Sequence, residues 1–501
     1  MQRIPRIKRL RSMFSVALTT TLMFLTIAAL RPTRGGAQAP AYCYLLTALE
    51  LTPGGGAQAT FFTRSGHVLG WAPDADGQYR RFVYNDTGIH DLDAALGSGG
   101  EFNINESHKA MSEEGTVFGV GSDDATAGQY AVVFDGEGIH RITFGGSFGV
   151  AIDINDAGQA IGAATNEDET TLHAFRYDHG TLTDIGTLGG ARSYPYAISE
   201  NGKVAGSSTN AQEERHAFLY DDGGIHDLGV LPGGTWSIAY AVNDAGQVAG
   251  VAEVAGGGQH AFLHDGTTMH DLGTLPGGTS SSATHINASG QVVGWADAPG
   301  NAQHIFLYDG TTMHDLTPNA TYSDVLRFSD SGIVVGQVHA PDNVFVYDAS
   351  GLHNISFGGT ASDAYGSFGG FGVTNRSGVV AGSAYIQGNT TRHAFLYDGN
   401  GLHDLNALPG DYGEALGMNE AGQVVGTTDW GAFLYEDGVM KNINDMTCVE
   451  SVTLDTAYGI SDDGKILAAN PYQGQLYLLT RRRVSGGFIQ PYDDANPPSP
   501  Q

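Results

Sequence analysis

The sequence predicts an all-β fold: a β-propeller of four-stranded blades, about ten repeats of ~44 residues, with the N-terminal strand closing the last blade. Three observations predict it. One nine-residue frame recurs along the whole chain. Each copy sits in a unit that reads as four short strands. The two chain ends carry complementary fractions of such a unit.

The recurring frame comes first. Ile286–Gly294 matches Val242–Gly250, and the same frame returns at Ile154–Gly162, Ile198–Gly206, Thr374–Gly382 and Met418–Gly426. Weaker copies surround Gly66, Gly115, Gly332 and Gly464. The ten anchoring glycines, 66, 115, 158, 202, 246, 290, 332, 378, 422 and 464, are spaced 42 to 49 residues apart. A period near 44 with four strands per unit is the signature of propeller blades.

The unit around Gly290 shows the four strands. Ser281–Asn287 alternates and ends in a turn, Gln291–Ala296 is short and valine-rich, and Asp297–Ala302 is a polar loop. His304–Tyr308 is a continuous apolar run, Asp309-Gly310 a hairpin turn, and Met313–Leu316 the fourth strand. Runs such as Ala217–Tyr220 and Ala394–Tyr397 do not alternate, which suits strands covered on both faces, as between neighbouring blades. Glycine supplies the positive φ that the tight turns demand. No segment sustains a 3.6-residue period, so helices should be few.

The ends complete the picture. Residues 1–41 read as a signal peptide: Arg3, Arg6, Lys8, Arg9 and Arg11 precede an uncharged run from Met13 to Leu30, then small residues around Ala37 and Ala41. Cleavage after Ala37 or Ala41 is expected; an uncleaved anchor is the alternative, because eighteen apolar residues can span a bilayer. Tyr44–Gly55 then aligns with the fourth-strand segment Met269–Gly278, although no first three strands precede it. The last unit, Tyr458–Ser461, Lys465–Ala468 and Gln475–Thr480, stops without a fourth strand. The N-terminal strand can fill that place and remove an open edge. The repeat domain is therefore expected over 42–480, and 481–501 as a disordered polar tail.

Composition bounds function. Glycine is 73 of 501 residues, and Lys+Arg is 24 against Asp+Glu 54, a formal charge of −30. Residues 1–41 hold seven basic residues and no acidic one, so the remainder is more acidic still. Nucleic acid is excluded as a partner for want of a basic footprint. No later segment is apolar enough to span a membrane, so none is expected after signal cleavage. A secreted, periplasmic or cell-surface location follows from the signal. The only two cysteines, Cys43 and Cys448, both lie in the exported part, where a disulfide can persist; sequence does not show whether they meet.

At this point a family resemblance emerges. His173-Ala174-Phe175, His216-Ala217-Phe218, His260-Ala261-Phe262 and His393-Ala394-Phe395, with Asp227–Gly234 and Asp271–Gly278, resemble the repeat that names the HAF family of probable extracellular repeat proteins. The resemblance covers roughly residues 42–480. It implies an exported or surface location and a β-rich repeat fold. It implies no activity and no site residues.

Candidate chemistry is weighed against the repeat. Five histidines open third strands (173, 216, 260, 304, 393), and seven precede the fourth-strand Asp or its equivalent (90, 140, 226, 270, 314, 353, 403). One per blade reads as a structural hydrogen bond, as in WD40-type blades, rather than a metal site. Asp74 and Asp76 before Gly77 resemble the start of a calcium loop, but the remaining acidic ligands are missing; no other cofactor is indicated. Residues that break the repeat are better ligand candidates. Asp153, His285 and Arg327 occupy a first-strand position that elsewhere is small or apolar, and Tyr194, Tyr196, Trp236, Tyr240 and Tyr412 gather where first strands begin. These could line a ligand pocket at the mouth of the central channel. The loops between second and third strands vary most, and binding sits on such loops. The expected function is an exported, non-catalytic scaffold that binds glycan or protein through one loop face. The alternatives are an extracellular hydrolase or lyase at the channel mouth, using two carboxylates or a His–carboxylate pair, and a purely structural surface protein.

Overall fold

The computed structural model describes residues 42–97, 100–104, 109–122, 128–300, 302–339, 343–356, 358–363, 374–386, 391–405, 412–448, 452–470, 474–485 and 488–491. The expected signal segment, 1–41, lies outside them, as do residues 492–501.

The regular structure of the described chain is almost all strand. Helix is confined to Leu92–Leu96, capped by Asp91, and a 3-10 turn at Ile443–Met446. The strands form ten blades, numbered here from the chain start. Blades 1 to 9 are antiparallel in chain order, as in blade 5: Ser237–Val242, Val248–Glu253, Gln259–His264 and Met269–Gly273. Blade 6 follows the strands read from sequence closely: Ser281–Ile286, Val292–Ala298, Ala302–Tyr308 and Met313–Asp315. Its register is fixed by pairs such as Gly294↔Phe306 and Phe306↔Asp315.

That register explains the composition of the inner strands. Phe82, Phe175, Phe218, Phe262, Phe306, Phe345, Phe395 and Phe433 of the third strands are fully buried, each directly opposite a second-strand glycine. At Gly250 a Cβ would stand 2.0 Å from Ile238 O and 2.9 Å from the Phe262 ring. Alanine there cannot fit without displacing the backbone.

Apolar clusters join every blade to the next. Phe61, Leu69 and Val83 pack with Val117, Tyr130 and Val132 between blades 1 and 2, and comparable clusters continue through blades 9 and 10. Blade 10 then packs on blade 1 through Leu467, Leu476 and Leu478 against Ala59, Phe62 and Val68. The propeller is therefore a closed ring.

Blade 10 is closed by the chain start. Thr456–Ile460, Ile466–Asn470 and Gln475–Ser485 are its first three strands, and Tyr42–Ala48 is the fourth, in register from Tyr42↔Arg483 to Ala48↔Tyr477. Cys43 is disulfide-bonded to Cys448, which ties this strand to the connection between blades 9 and 10. Glu436 of blade 9 accepts hydrogen bonds from Tyr42 Oη, Lys441 Nζ (2.9 Å) and Arg481 Nη2 (2.8 Å). The tail boundary expected at residue 481 is corrected here. The third strand continues to Ser485 because Tyr42–Tyr44 supply its ladder partners, and Phe488–Pro491 folds back on Arg482–Ser485.

Candidate functional site

The repeat signature is a joint between blades. Each first strand passes to the second through a four-residue turn whose glycine has positive φ, in all ten copies. The turn's leading side chain closes it: Asn243 Oδ1 accepts from Gln247 N at 3.0 Å, and Ser or Thr does the same where Asn is absent. Asn has a second function that Ser lacks. Its Nδ2 donates to the turn carbonyl of the following blade, as Asn155 to Ser199 O (3.0 Å), Asn243 to Asn287 O (2.9 Å) and Asn419 to Ser461 O (3.0 Å).

The next turn position carries Arg64, Glu113, Asp156, Glu200, Asp244, Ala288, Asp330, Arg376, Glu420 and Asp462. Carboxylates here accept from a turn amide of the preceding blade: Glu113 from Ser65, Glu200 from Asp156, Asp244 from Asn201, Asp330 from Ala288, Glu420 from Arg376 and Asp462 from Glu420.

These turns converge on the inner end of the channel. Arg64 lies 2.9 Å from Asp156, 3.1 Å from Glu420 and 3.3 Å from Glu113, joining blades 1, 2, 3 and 9. Lys109 pairs with Asp156, and Arg376 stands 3.9 Å from both Asp156 and Glu420. Burial opposes charge on Arg64, but Glu113, Asp156 and Glu420 outweigh it and raise its pKa. Burial likewise pushes Asp156 up, and Lys109, Arg64 and Arg376 more than reverse it. The cluster borders a cavity of about 560 Å³, whose walls also include Phe61, Arg327, Phe328, Val335 and Met418.

The expected ligand residues fall into separate groups. Arg327 lines this cavity. His285 on the neighbouring blade has its side chain exposed to the channel, and the surrounding protein and the Arg327 charge lower its pKa. Asp153 lies across on blade 3, where burial raises its carboxyl to about 7 against the pull of Lys109. The charge that His285 feels is thus a cation. Tyr194, Tyr196 and Tyr240 form a row of tilted and edge-on rings with centroids 5.2 and 5.3 Å apart, and Arg215 donates to Tyr196 Oη at 2.5 Å. Trp236 sits just before its first strand, at the opposite channel end from Arg327. The single pocket expected from these residues is corrected: first strands run the length of the channel, so residues at their starts and ends face different mouths. Asp74 accepts from the Asp76 and Gln78 amides at 2.9 Å and from Arg80 Nε at 2.5 Å, which makes it a turn cap facing a guanidinium. Among the described residues no group of three or more His, Cys, Asp or Glu is arranged to hold a metal ion.

The repeated histidines are structural. Third-strand His173, His216, His260, His304 and His393 contact Asp184, Asp227, Asp271, Asp315 and Asp404 through Nδ1 at 2.8–3.0 Å. The second series spans the hairpin to the fourth strand, as His226 to Asp221 (2.8 Å) and His270 to Asp265 (2.7 Å). Blade 2 fills the first slot differently: Arg141 stacks over Tyr130 at 4.3 Å.

Sequence reasoning missed the ionic cluster around Arg64. The signal was present, since nine of ten residues after the turn's leading position are charged. It also missed three exposed rings. Tyr79 (68% exposed), Phe148 (38%) and Tyr322 (44%) all lie where third or first strands begin, on the face of the variable loops. Tyr79 packs edge-on against Trp71 at 4.7 Å, and Tyr322 lies 5.3 Å from His339.

No family model matches the chain, and no curated protein matches it. Solved structures similar to it include the β-propeller domain of the Trilobed protease from Pyrococcus furiosus, at 10% identity and TM-score 0.35, covering 60% of this chain and 95% of that one. A prolyl endopeptidase is similar at 9% identity and TM-score 0.39, over 70% of this chain and 55% of that one. A lectin from Aleuria aurantia is similar at 9% identity and TM-score 0.25, over 53% of this chain and 96% of that one.

Proposed function

We propose that this chain is an exported binding scaffold whose variable-loop face takes a glycan. The placement of its exposed aromatic rings supports this reading. Tyr79, Phe148 and Tyr322 belong to blades 1, 3 and 7, and all three share that face. The exposed aliphatic residues Ile89, Leu352 and Val439 lie instead on fourth strands. A flat aromatic face suits the apolar face of a sugar ring. Rings on separate blades suit a ligand that repeats. Export and membership of the HAF repeat family belong to the same proposal; they rest on residues 1–41 and on the His-Ala-Phe motifs.

The test is a glycan array probed with the purified mature protein and with a Tyr79→Ala, Phe148→Ala, Tyr322→Ala triple variant. Binding that the triple variant loses supports the reading. An empty array, with a protein partner recovered through the same face, replaces glycan by protein. Binding untouched by the triple variant overturns the assignment to this face.

A further inference from the structure

The opposite end of the channel holds an unbalanced donor set. Every carboxylate lining the cavity has partners: Glu113 has Arg64 and Ser65 N, Asp156 has Arg64 and Lys109, and Glu420 has Arg64 and Arg376 N. Glu200 and Asp330 accept from the Asp156 and Ala288 amides. Arg327 also lines the cavity, yet its guanidinium makes no hydrogen bond or ion pair with any described residue. A guanidinium carries five N–H donors in a planar fork that matches a carboxylate. On the same blade the wall turns apolar, with the half-buried Phe328 and Ile333.

We propose that this cavity binds a small organic carboxylate, its anionic end held by Arg327 and its carbon body against the apolar wall. Size agrees, since about 560 Å³ falls within the range of small-molecule sites. Charge sets the class. The surrounding carboxylates repel a doubly charged phosphate more strongly than a singly charged anion. The nearby Arg64 disfavours the charge on Arg327, a cost that a bound anion relieves, while Glu420 favours it. This site is independent of the loop-face rings.

The test titrates the mature protein with benzoate, with its uncharged isostere benzamide, and with inorganic phosphate, read by calorimetry and by ligand-observed NMR. Benzoate should bind, with benzamide and phosphate at least about tenfold weaker, a difference of about 1.4 kcal/mol. Arg327→Ala should abolish benzoate binding while leaving the unfolding midpoint close to that of the parent. Arg327→Lys should retain part of it, since an ammonium keeps the charge and loses the fork. The loop-face triple variant should bind benzoate normally, which separates this proposal from the glycan reading. Equal binding of benzoate and benzamide, phosphate binding as tight as benzoate, unchanged binding in Arg327→Ala, or no benzoate binding at millimolar concentration would each overturn it.

Discussion

The ring is held together in two ways, and they contrast sharply. Between blades the joint is small and repeated: a turn Asn donating to the next turn's carbonyl, and a turn carboxylate accepting from the preceding blade's amide. At blade 10 the closure occurs once and is built from different material: a disulfide, a seven-residue strand pairing, and a buried ion pair between Glu436 and Arg481. A repeated joint spreads its load, so each copy can be weak. A seam has no neighbour to share its load and concentrates strong interactions.

Substitutions can break that contrast, beginning with the seam. Glu436 is 6% exposed and its partner Arg481 13%. Glu436→Ala strands Arg481 without its carboxylate and should cost about 3–5 kcal/mol, read as a fall in the unfolding midpoint with early proteolysis near Tyr42. Cys43→Ala with Cys448→Ala should cost about 2–5 kcal/mol; an unchanged midpoint would show that strand pairing alone secures the ends. Asn243→Ala removes one repeated joint and should cost only about 1–3 kcal/mol. Asn243→Ser should recover the part due to turn closure, because Ser199 and Ser329 close their turns the same way.

Three further changes sharpen the comparison. Asp153 has a folded pKa raised to about 7, against about 3.9 for an ordinary Asp. Between those values the folded form holds a proton that the unfolded form releases, so stability falls as pH rises through the window, and the loss is complete above it. Asp153→Asn should therefore raise the midpoint at pH 8 and leave it unchanged at pH 4; an equal gain at both would refute the assignment. The smallest effect is expected at the partly exposed His260–Asp271 pair, where His260→Ala should cost about 0.2–1 kcal/mol. Blade 2 offers the complementary exchange. Tyr130→His with Arg141→Asp should restore the pair found in its neighbours and cost less than either change alone, as a double-mutant cycle would show.

What repeats was legible in the sequence. The ten turn glycines, the four-strand unit and the His–Asp slots declared themselves because each recurs at a fixed offset. The missing fourth strand was legible as a mismatch of ends. Glu436, Lys441 and Arg481 were not, because each occurs once and their meeting depends on ring closure, which places residue 42 beside residue 436. The cluster on Arg64 was hidden for the same reason: its partners come from blades 2, 3 and 9, brought together only by the convergence of turns on one axis. The candidate ligand residues were legible as departures from the repeat. Their separation into two channel ends was invisible, since a period records where a residue stands in its unit and not how far along the axis its side chain reaches.

Because the strand that precedes blade 1 completes blade 10, the unit of sequence and the unit of structure are out of step by one strand. A duplication or excision of any internal stretch of one period inserts or removes a whole blade's worth of strands wherever the cut falls. The two termini remain a matched lock and key throughout. Blade number thereby becomes a quantity that recombination can adjust without redesigning the closure, limited only by how many turns can meet around Arg64 before the hub loosens.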